Sequence, residues 1–229
     1  MNYLVIGLGN FGASLATQLT KLGHEVIGLD KRMEKIEFYK DEITQTICAD
    51  STDFHVISDL PVKEADAVII CIGENEGENI MATALMKQLN AKRIISRAVS
   101  PLHETVLQAM EIEEIVHPEL DSAERLAKNL HHEDYIDSFE LAGDFTIVKA
   151  KVPGKYAGRS LKDMDLRKSH RITVLTTITT TRKTNILGMH RNVQEVKEVA
   201  HANTVLNKDD IVVVYGLSLI HISEPTRPY

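Results

Sequence analysis

The sequence predicts an α/β protein: a doubly wound parallel sheet followed by a small α+β domain. Three observations carry that prediction. Short runs rich in Val and Ile alternate with amphipathic helical periods up to about Glu119. The motif Gly7-Leu8-Gly9-Asn10-Phe11-Gly12 joins the first run to the first helical period. Beyond a polar break at 131–137 the rhythm changes to alternating strands.

The strand candidates in the first part are 3–6, 25–29, 46–48, 67–72, 93–96 and 114–116. They are short and mostly free of polar residues, as strands covered on both faces require. Between the first two, Phe11, Leu15, Leu19 and Leu22 recur along one side of a helix, which Gly23 is placed to cap. A later helix carries Ile80, Ala84 and residues 86–89 on one side and ends near Asn90. This alternation builds a parallel sheet through right-handed crossovers. A further helix starts at 121–125, with Leu120, Ala123, Ala127 and Leu130 on one face.

The polar break then marks a domain boundary. Residues 145–152 read as a strand, Pro153-Gly154 as a turn, 161–167 as a short helix and 171–178 as an alternating strand. The turn at 207–210 leads into a last buried strand at 211–215. The expected organisation is therefore a first domain over 1–136 and a second over 137–216. From Leu217 onward the residues read as a translated sequencing adaptor, so 217–229 is expected to be a non-native tail.

Composition narrows the function classes. The 229 residues hold 26 Lys+Arg against 33 Asp+Glu, a net charge of −7, and 43% are hydrophobic. That balance suits a folded soluble protein and argues against a generic nucleic-acid binder, which carries a basic field. No apolar run approaches the ~20 residues that cross a bilayer, and Met1 leads into a strand, not a signal peptide. Cys48 and Cys71 sit in apolar runs without ligand spacing and are expected to be buried, reduced thiols. Of the ten histidines, the His131-His132-Glu133-Asp134 cluster reads as a solvated stretch.

The glycine motif carries the chemistry. It directly follows a strand and opens a helix, the context in which a Rossmann-like fold binds dinucleotides. Gly7 permits the tight turn, Gly9 lets a pyrophosphate approach the backbone, and Gly12 lets the helix pack on the strand. Asn10 and Phe11 begin the helix, whose free N–H groups and dipole favour an anion. Asp30 lies 18 residues past Gly12 at the end of the second strand, placed to accept hydrogen bonds from both ribose hydroxyls. It repels a 2′-phosphate, an exclusion that Lys31 and Arg32 soften. Further candidates end later strands: Asp50 and Ser51 near the adenosine, Ile72 and Gly73 where close approach is needed, Arg97 toward the phosphates, and the carboxylate of Glu119.

A catalyst is not legible. His170, His190 and His201 form no acid–base constellation, and the run from Thr173 to Thr184 reads as an exposed sheet face. No GxSxG, HExxH or Walker motif occurs. A non-enzyme is expected. The alternative is an NAD-dependent oxidoreductase with a small substrate domain, which needs a catalytic group facing the Gly73 edge.

The ordered set of motifs resembles the RCK (regulator of potassium conductance) family, in particular its TrkA/KtrA-type potassium uptake subunits. The resemblance rests on Ile6 through Gly12, Gly23-His24-Glu25-Val26 into Asp30, Ala49-Asp50-Ser51-Thr52, residues 67–73, and Ile115-Val116-His117-Pro118-Glu119. Pro153-Gly154, Gly158-Arg159-Ser160-Leu161 and Asp209-Asp210-Ile211-Val212-Val213 resemble the family's C-terminal domain. It covers roughly residues 1–216.

The resemblance implies a regulator that binds ATP, ADP or NAD(H), dimerises, and assembles into an octameric ring beneath a TrkH/KtrB-like membrane potassium translocator. Such a subunit is cytoplasmic and peripheral to the inner face of the membrane, with no nucleic-acid partner. By matching position, Gly7, Gly9 and Gly12 cradle phosphates, Asp30 holds ribose, Asp50 lies near the adenosine, and Arg97 contacts phosphate. Glu119 matches a carboxylate that in some members holds Mg2+ or another divalent cation at the dimer interface. Residues 121–130 match a crossover helix joining paired subunits. Asn10 departs from the ATP-responsive members, which often carry Arg there. The resemblance therefore implies NAD(H) sensing, or discrimination of ATP from ADP by other groups.

Overall fold

A computed structural model of the chain describes residues 1–131, 135–141, 144–184 and 190–217. Two compact units divide it, Met1–Asp121 and Ser122–Tyr229. The division falls inside the helix that the sequence places whole in the first domain.

In the first unit, β1 (Asn2–Ile6), β2 (Glu25–Asp30), β3 (Gln45–Cys48), β4 (Ala67–Ile70), β5 (Ile94–Arg97) and β6 (Glu114–Val116) form one sheet. Every pairing is parallel and the order is β3-β2-β1-β4-β5-β6. The crossovers are α1 (Asn10–Lys21), α2 (Met33–Tyr39), α3 (Phe54–Ser58), α4 (Glu76–Gln88) and α5 (Pro101–Ala109), and α6 (Pro118–His131) begins after β6. Alternate residues of the central strands feed two cores. Leu4, Ile6, Val68 and Ile70 pack with Ala82 and Met86 of α4, while Val5 and Ile69 pack with Ala13 and Ala16 of α1. The strand order reverses between β1 and β4, which opens a crevice at the carboxyl edge.

The helices bury smaller and more polar faces than their periodicity predicts. α1 turns Gly12, Ala13, Ala16 and Thr17 inward, with its leucines at the flanks and Leu22 72% exposed. Small side chains let the helix approach the strand, so the bulkier positions rotate out. α4 buries Asn79, Ala82, Thr83 and Met86, and Ala84 is exposed, because two hydrogen-bonded polar residues occupy its inner stripe. Cys71 is buried as expected, but Cys48 is exposed because β3 is the edge strand.

The second unit is an antiparallel sheet of β7 (Tyr135–Glu140), β8 (Phe145–Lys151), β9 (Ile172–Thr184), β10 (His190–Val199) and β11 (Ile211–Leu217), ordered β10-β9-β11-β8-β7. Val148, Ala150, Leu206, Val212 and Val214 make its core. The predicted 161–167 helix is two short ones, α7 (Leu161–Met164) and α8 (Leu166–His170), broken where Asp165 turns left-handed at φ 42°. β7 starts inside the predicted polar break, whose residues 132–134, with the His/Glu/Asp cluster they carry, lie outside the described residues. The Thr-rich run is not one exposed face. Thr177 is 1% exposed and the Thr179 hydroxyl donates to buried Asp210 at 2.8 Å, because β9 pairs on both edges and contributes to the interior. Leu217 pairs with Phe145, and 218–229 lies outside the described residues.

Candidate functional site

The crevice at the reversal of strand order is a cleft of about 490 Å³, within the range of small-molecule sites. Its floor is the turn between β1 and α1. Gly7 has φ +93°, and a Cβ there would stand 3.0 Å from Ile72 Cγ1. Gly9 faces open space, with nothing within 4 Å of a Cβ built on it. That is the vacancy a phosphate group requires next to backbone. Gly12 serves differently: its Cβ would fall 2.0 Å from the Gly7 carbonyl oxygen and 2.8 Å from Cys71 Cβ. It is a packing position outside the lining, whereas Gly7, Gly9, Asn10 and Phe11 line the cleft.

Asp30 is 6% exposed and both its oxygens are engaged. Oδ2 accepts from Leu8 N–H at 2.8 Å, and Oδ1 accepts from the Arg32 backbone N–H at 2.9 Å and Arg32 Nε at 3.2 Å. Lys31 and Arg32 are not free cations. Lys31 Nζ donates to Glu78 at 2.5 Å and Arg32 to Glu74 at 3.1 Å, and hydrogen bonds to these carboxylates and Asp30 raise the pKa of both. Ser51 lines the cleft but Asp50 does not. Its carboxylate accepts from the Thr52 hydroxyl at 2.7 Å and the Thr52 N–H at 2.9 Å, which hold its pKa below the usual value.

At the far end, Ile72 and Gly73 form the wall and Arg97 lies across it. A Cβ on Gly73 would meet the Arg97 guanidinium at 2.5 Å, so glycine is what lets the cation lie there. Arg97 donates to Glu119 at 2.5 Å and to the Cys71 carbonyl at 3.3 Å. Glu119 is therefore ion-paired, and among the described residues no cluster of three His, Cys, Asp or Glu side chains could hold a metal ion. Burial pushes the Cys71 thiol up to about 12.

Behind this wall sits a polar cluster that hydrophobic periodicity does not register. Asn79, wholly buried, donates to the carbonyls of Ile72 at 2.9 Å and Arg97 at 3.1 Å, tying the ends of β4 and β5 together. Its Oδ1 accepts from Ser96 at 3.0 Å and Thr83 at 3.3 Å, and lies 3.2 Å from His103 Nε2. Lys35, Asn75 and Glu78 also line the cleft and were not singled out by sequence. Asn75 and Glu78 carry a legible signal, since Asn75 caps α4 by accepting from the Glu78 N–H at 3.2 Å.

The family model of the TrkA-N domain matches residues 3–118, which hold all of this sheet but Asn2 and all of the cleft lining but Glu119. The chain belongs to the TrkA-N domain family. Among its relatives, Ktr system potassium uptake protein C of Bacillus subtilis is 33% identical over 214 residues, 93% of this chain and 91% of that protein. Ktr system potassium uptake protein A of the same organism is 30% identical over 173 residues, 76% of this chain and 78% of that one. The fold of the GsuK RCK domain superposes with a TM-score of 0.62 at 15% identity, covering 94% of this chain and 45% of that longer one. The NAD-bound GsuK channel matches with a TM-score of 0.61 at 16% identity, over 94% of this chain and 37% of that one. This TrkA-N protein thus has the RCK fold that its motifs resemble, with the parallel sheet and the separate second sheet both present.

Proposed function

We propose that this protein is the nucleotide-binding regulatory subunit of a membrane potassium uptake system. The observation that carries the reading is its 33% identity, over 93% of its length, with a Ktr potassium uptake protein. The cleft fits the nucleotide part of that role. The open space over Gly9 and the N-terminus of α1, with Asn10 and Phe11, accepts phosphates. Asp30 exchanges one of its protein donors for the ribose hydroxyls, Ile72 and Gly73 allow close approach of the ligand, and Arg97 turns toward the phosphates. Turning Arg97 parts it from Glu119, the carboxylate that would hold a divalent cation in this reading.

The ligand is NAD(H), or ATP and ADP told apart without help from the uncharged Asn10. A charge-assisted contact is the stronger way to recognise a terminal phosphate, and Asn10 does not supply it. The subunit works as a homodimer within an octameric ring, docked at the inner membrane face on a TrkH/KtrB-like translocator. Among the described residues no helix is long and apolar enough to cross a membrane; in this reading the translocator is a separate chain. The ligand gates flux only to the extent that it binds one ring state more tightly than the other. A regulator needs no proton-transfer group in its cleft, and the Cys71 thiol, with its pKa near 12, is a packing group.

Calorimetric titration of the full chain with ATP, ADP and NADH tests the binding. Potassium flux in vesicles carrying a translocator, with and without this protein, tests the role. Binding of at least one nucleotide with nucleotide-dependent flux is expected. Failure of all three to bind, or steady oxidation of NADH by a small substrate, overturns the reading. A strong preference for ATP over both ADP and NADH removes the NAD(H) assignment alone.

A further inference from the structure

We infer that Glu74 and Glu78 are specificity-determining residues that close the adenosine end of the cleft to a 2′-phosphorylated ribose. The inference rests on the nucleotide reading above and adds to Asp30 the two residues that keep Lys31 and Arg32 from a 2′-phosphate.

A 2′-phosphate is normally welcomed by a cation just after β2, and this sequence offers two there, Lys31 and Arg32. The geometry withholds both. Lys31 is held by Glu78 at 2.5 Å, and Arg32 is shared between Asp30 at 3.2 Å and Glu74 at 3.1 Å. Glu74 and Glu78 come from the opposite lip, after β4 and in the first turn of α4. The two ion pairs therefore span the crevice beside the ribose carboxylate.

Charge balance gives the same answer. The lining holds Asp30, Glu74 and Glu78 beside Lys31, Arg32 and Lys35, and Asp50, just outside it, acts on Lys31, so four carboxylates stand against three cations. A dianionic 2′-phosphate arriving here meets a net negative lip and must also displace Glu74 or Glu78 from its partner. Neutralising both glutamates leaves three cations against two carboxylates and reverses the sign. Because these pairs are partly exposed, each contributes little to folding, so they are removable without loss of the domain.

The test uses the adenosine half alone, which every candidate nucleotide shares. 5′-AMP and adenosine 2′,5′-bisphosphate are titrated calorimetrically into the full chain and into the Glu74→Gln/Glu78→Gln double variant. Wild type is expected to favour 5′-AMP at least tenfold. The double variant should bind the bisphosphate at least tenfold more tightly than wild type does, with 5′-AMP changed less than threefold. Equal affinity of wild type for the two ligands, or an unchanged ratio in the variant, overturns the inference and leaves the nucleotide reading intact. Loss of both ligands in the variant, with native circular dichroism, overturns it too, because the glutamates are then binding groups and not discriminators. If neither these ligands nor ATP, ADP and NADH bind wild type, the nucleotide reading itself fails.

Discussion

The Asp30 carboxylate accepts a hydrogen bond from the backbone N–H of Leu8 at 2.8 Å. The residue that closes β2 thus holds the turn that follows β1. In the proposed reading, phosphate and ribose recognition are coupled through this one side chain, which holds the turn in shape.

Substituting Asp30 should therefore damage stability as well as binding. In Asp30→Ala the buried Leu8 N–H is left without a partner, which costs about 1–3 kcal/mol. Asp30→Asn keeps an acceptor and should cost less. Both variants should lose at least tenfold in nucleotide affinity. Urea denaturation and calorimetry on the two variants separate the effects, and equal stability of Asp30→Ala and wild type would refute the coupling.

Two glycines of the same motif should respond in opposite ways. At Gly12 a methyl group collides with the Gly7 carbonyl at 2.0 Å, so Gly12→Ala forces α1 off the sheet and costs on the order of 3 kcal/mol. At Gly9 the backbone has φ −69° and the methyl meets nothing within 4 Å, so Gly9→Ala should fold with near wild-type stability. Its methyl instead occupies the space over the turn, and nucleotide affinity should fall tenfold or more. Thermal melts alongside ligand titration check both halves.

The unequal legibility of fold and site has a physical source. The central strands β1, β2 and β4 were readable because strands covered on both faces are rich in Val and Ile, and the glycine turn because its backbone needs glycine. β7 and β10 were not, since strands of the second sheet carry polar residues such as Gln194, Lys197 and Glu198 on exposed faces. In the site, Gly7, Gly9 and Asp30 stood out through local spacing. The partners of Lys31 and Arg32 did not, because Glu74 and Glu78 lie more than forty residues away and come near only through the β1–β4 crossover. The role of Asn79 was hidden for a related reason: a polar residue on the inner stripe of a helix looks like an interruption of the hydrophobic pattern.

The second sheet should be sensitive to strong acid through Asp210. Burial alone would raise the pKa of this carboxylate, but hydrogen bonds from Asn207, Lys197 and Thr179 overcome it and leave the pKa below the usual value. A depressed folded pKa stabilises the fold above the ordinary carboxylate range, and the contribution disappears as pH falls through the folded value. The β11 amides should lose protection against hydrogen exchange, relative to the unstructured chain at the same pH, below about pH 4 in wild type. Asp210→Asn should exchange faster at neutral pH and lose most of that acid dependence; a variant as protected as wild type at pH 7 would contradict the argument.

The Asn79 cluster predicts a second pH response, at higher pH and in the first unit. His103 is 1% exposed, and burial holds its pKa below the ordinary imidazole value, so folding favours the neutral ring. The stabilisation is full above an unfolded pKa of about 6.5 and is lost as pH drops through the lower folded value. His103→Gln should flatten the fall in stability below about pH 6.5 while leaving the Asp210 response in place. Asn79→Leu goes further, because it strips the donors from the Ile72 and Arg97 carbonyls and the acceptor from Ser96, Thr83 and His103 at once. Leaving several buried groups unpaired costs about 3 kcal/mol or more, even with partial relaxation. Because Asn79 ties the strand ends that carry Gly73 and Arg97, the milder Asn79→Asp should weaken ADP, whose second phosphate reaches Arg97 in the proposed reading, more than 5′-AMP. Equal losses for the two ligands in that variant would show that Asn79 supports the fold without positioning the cleft.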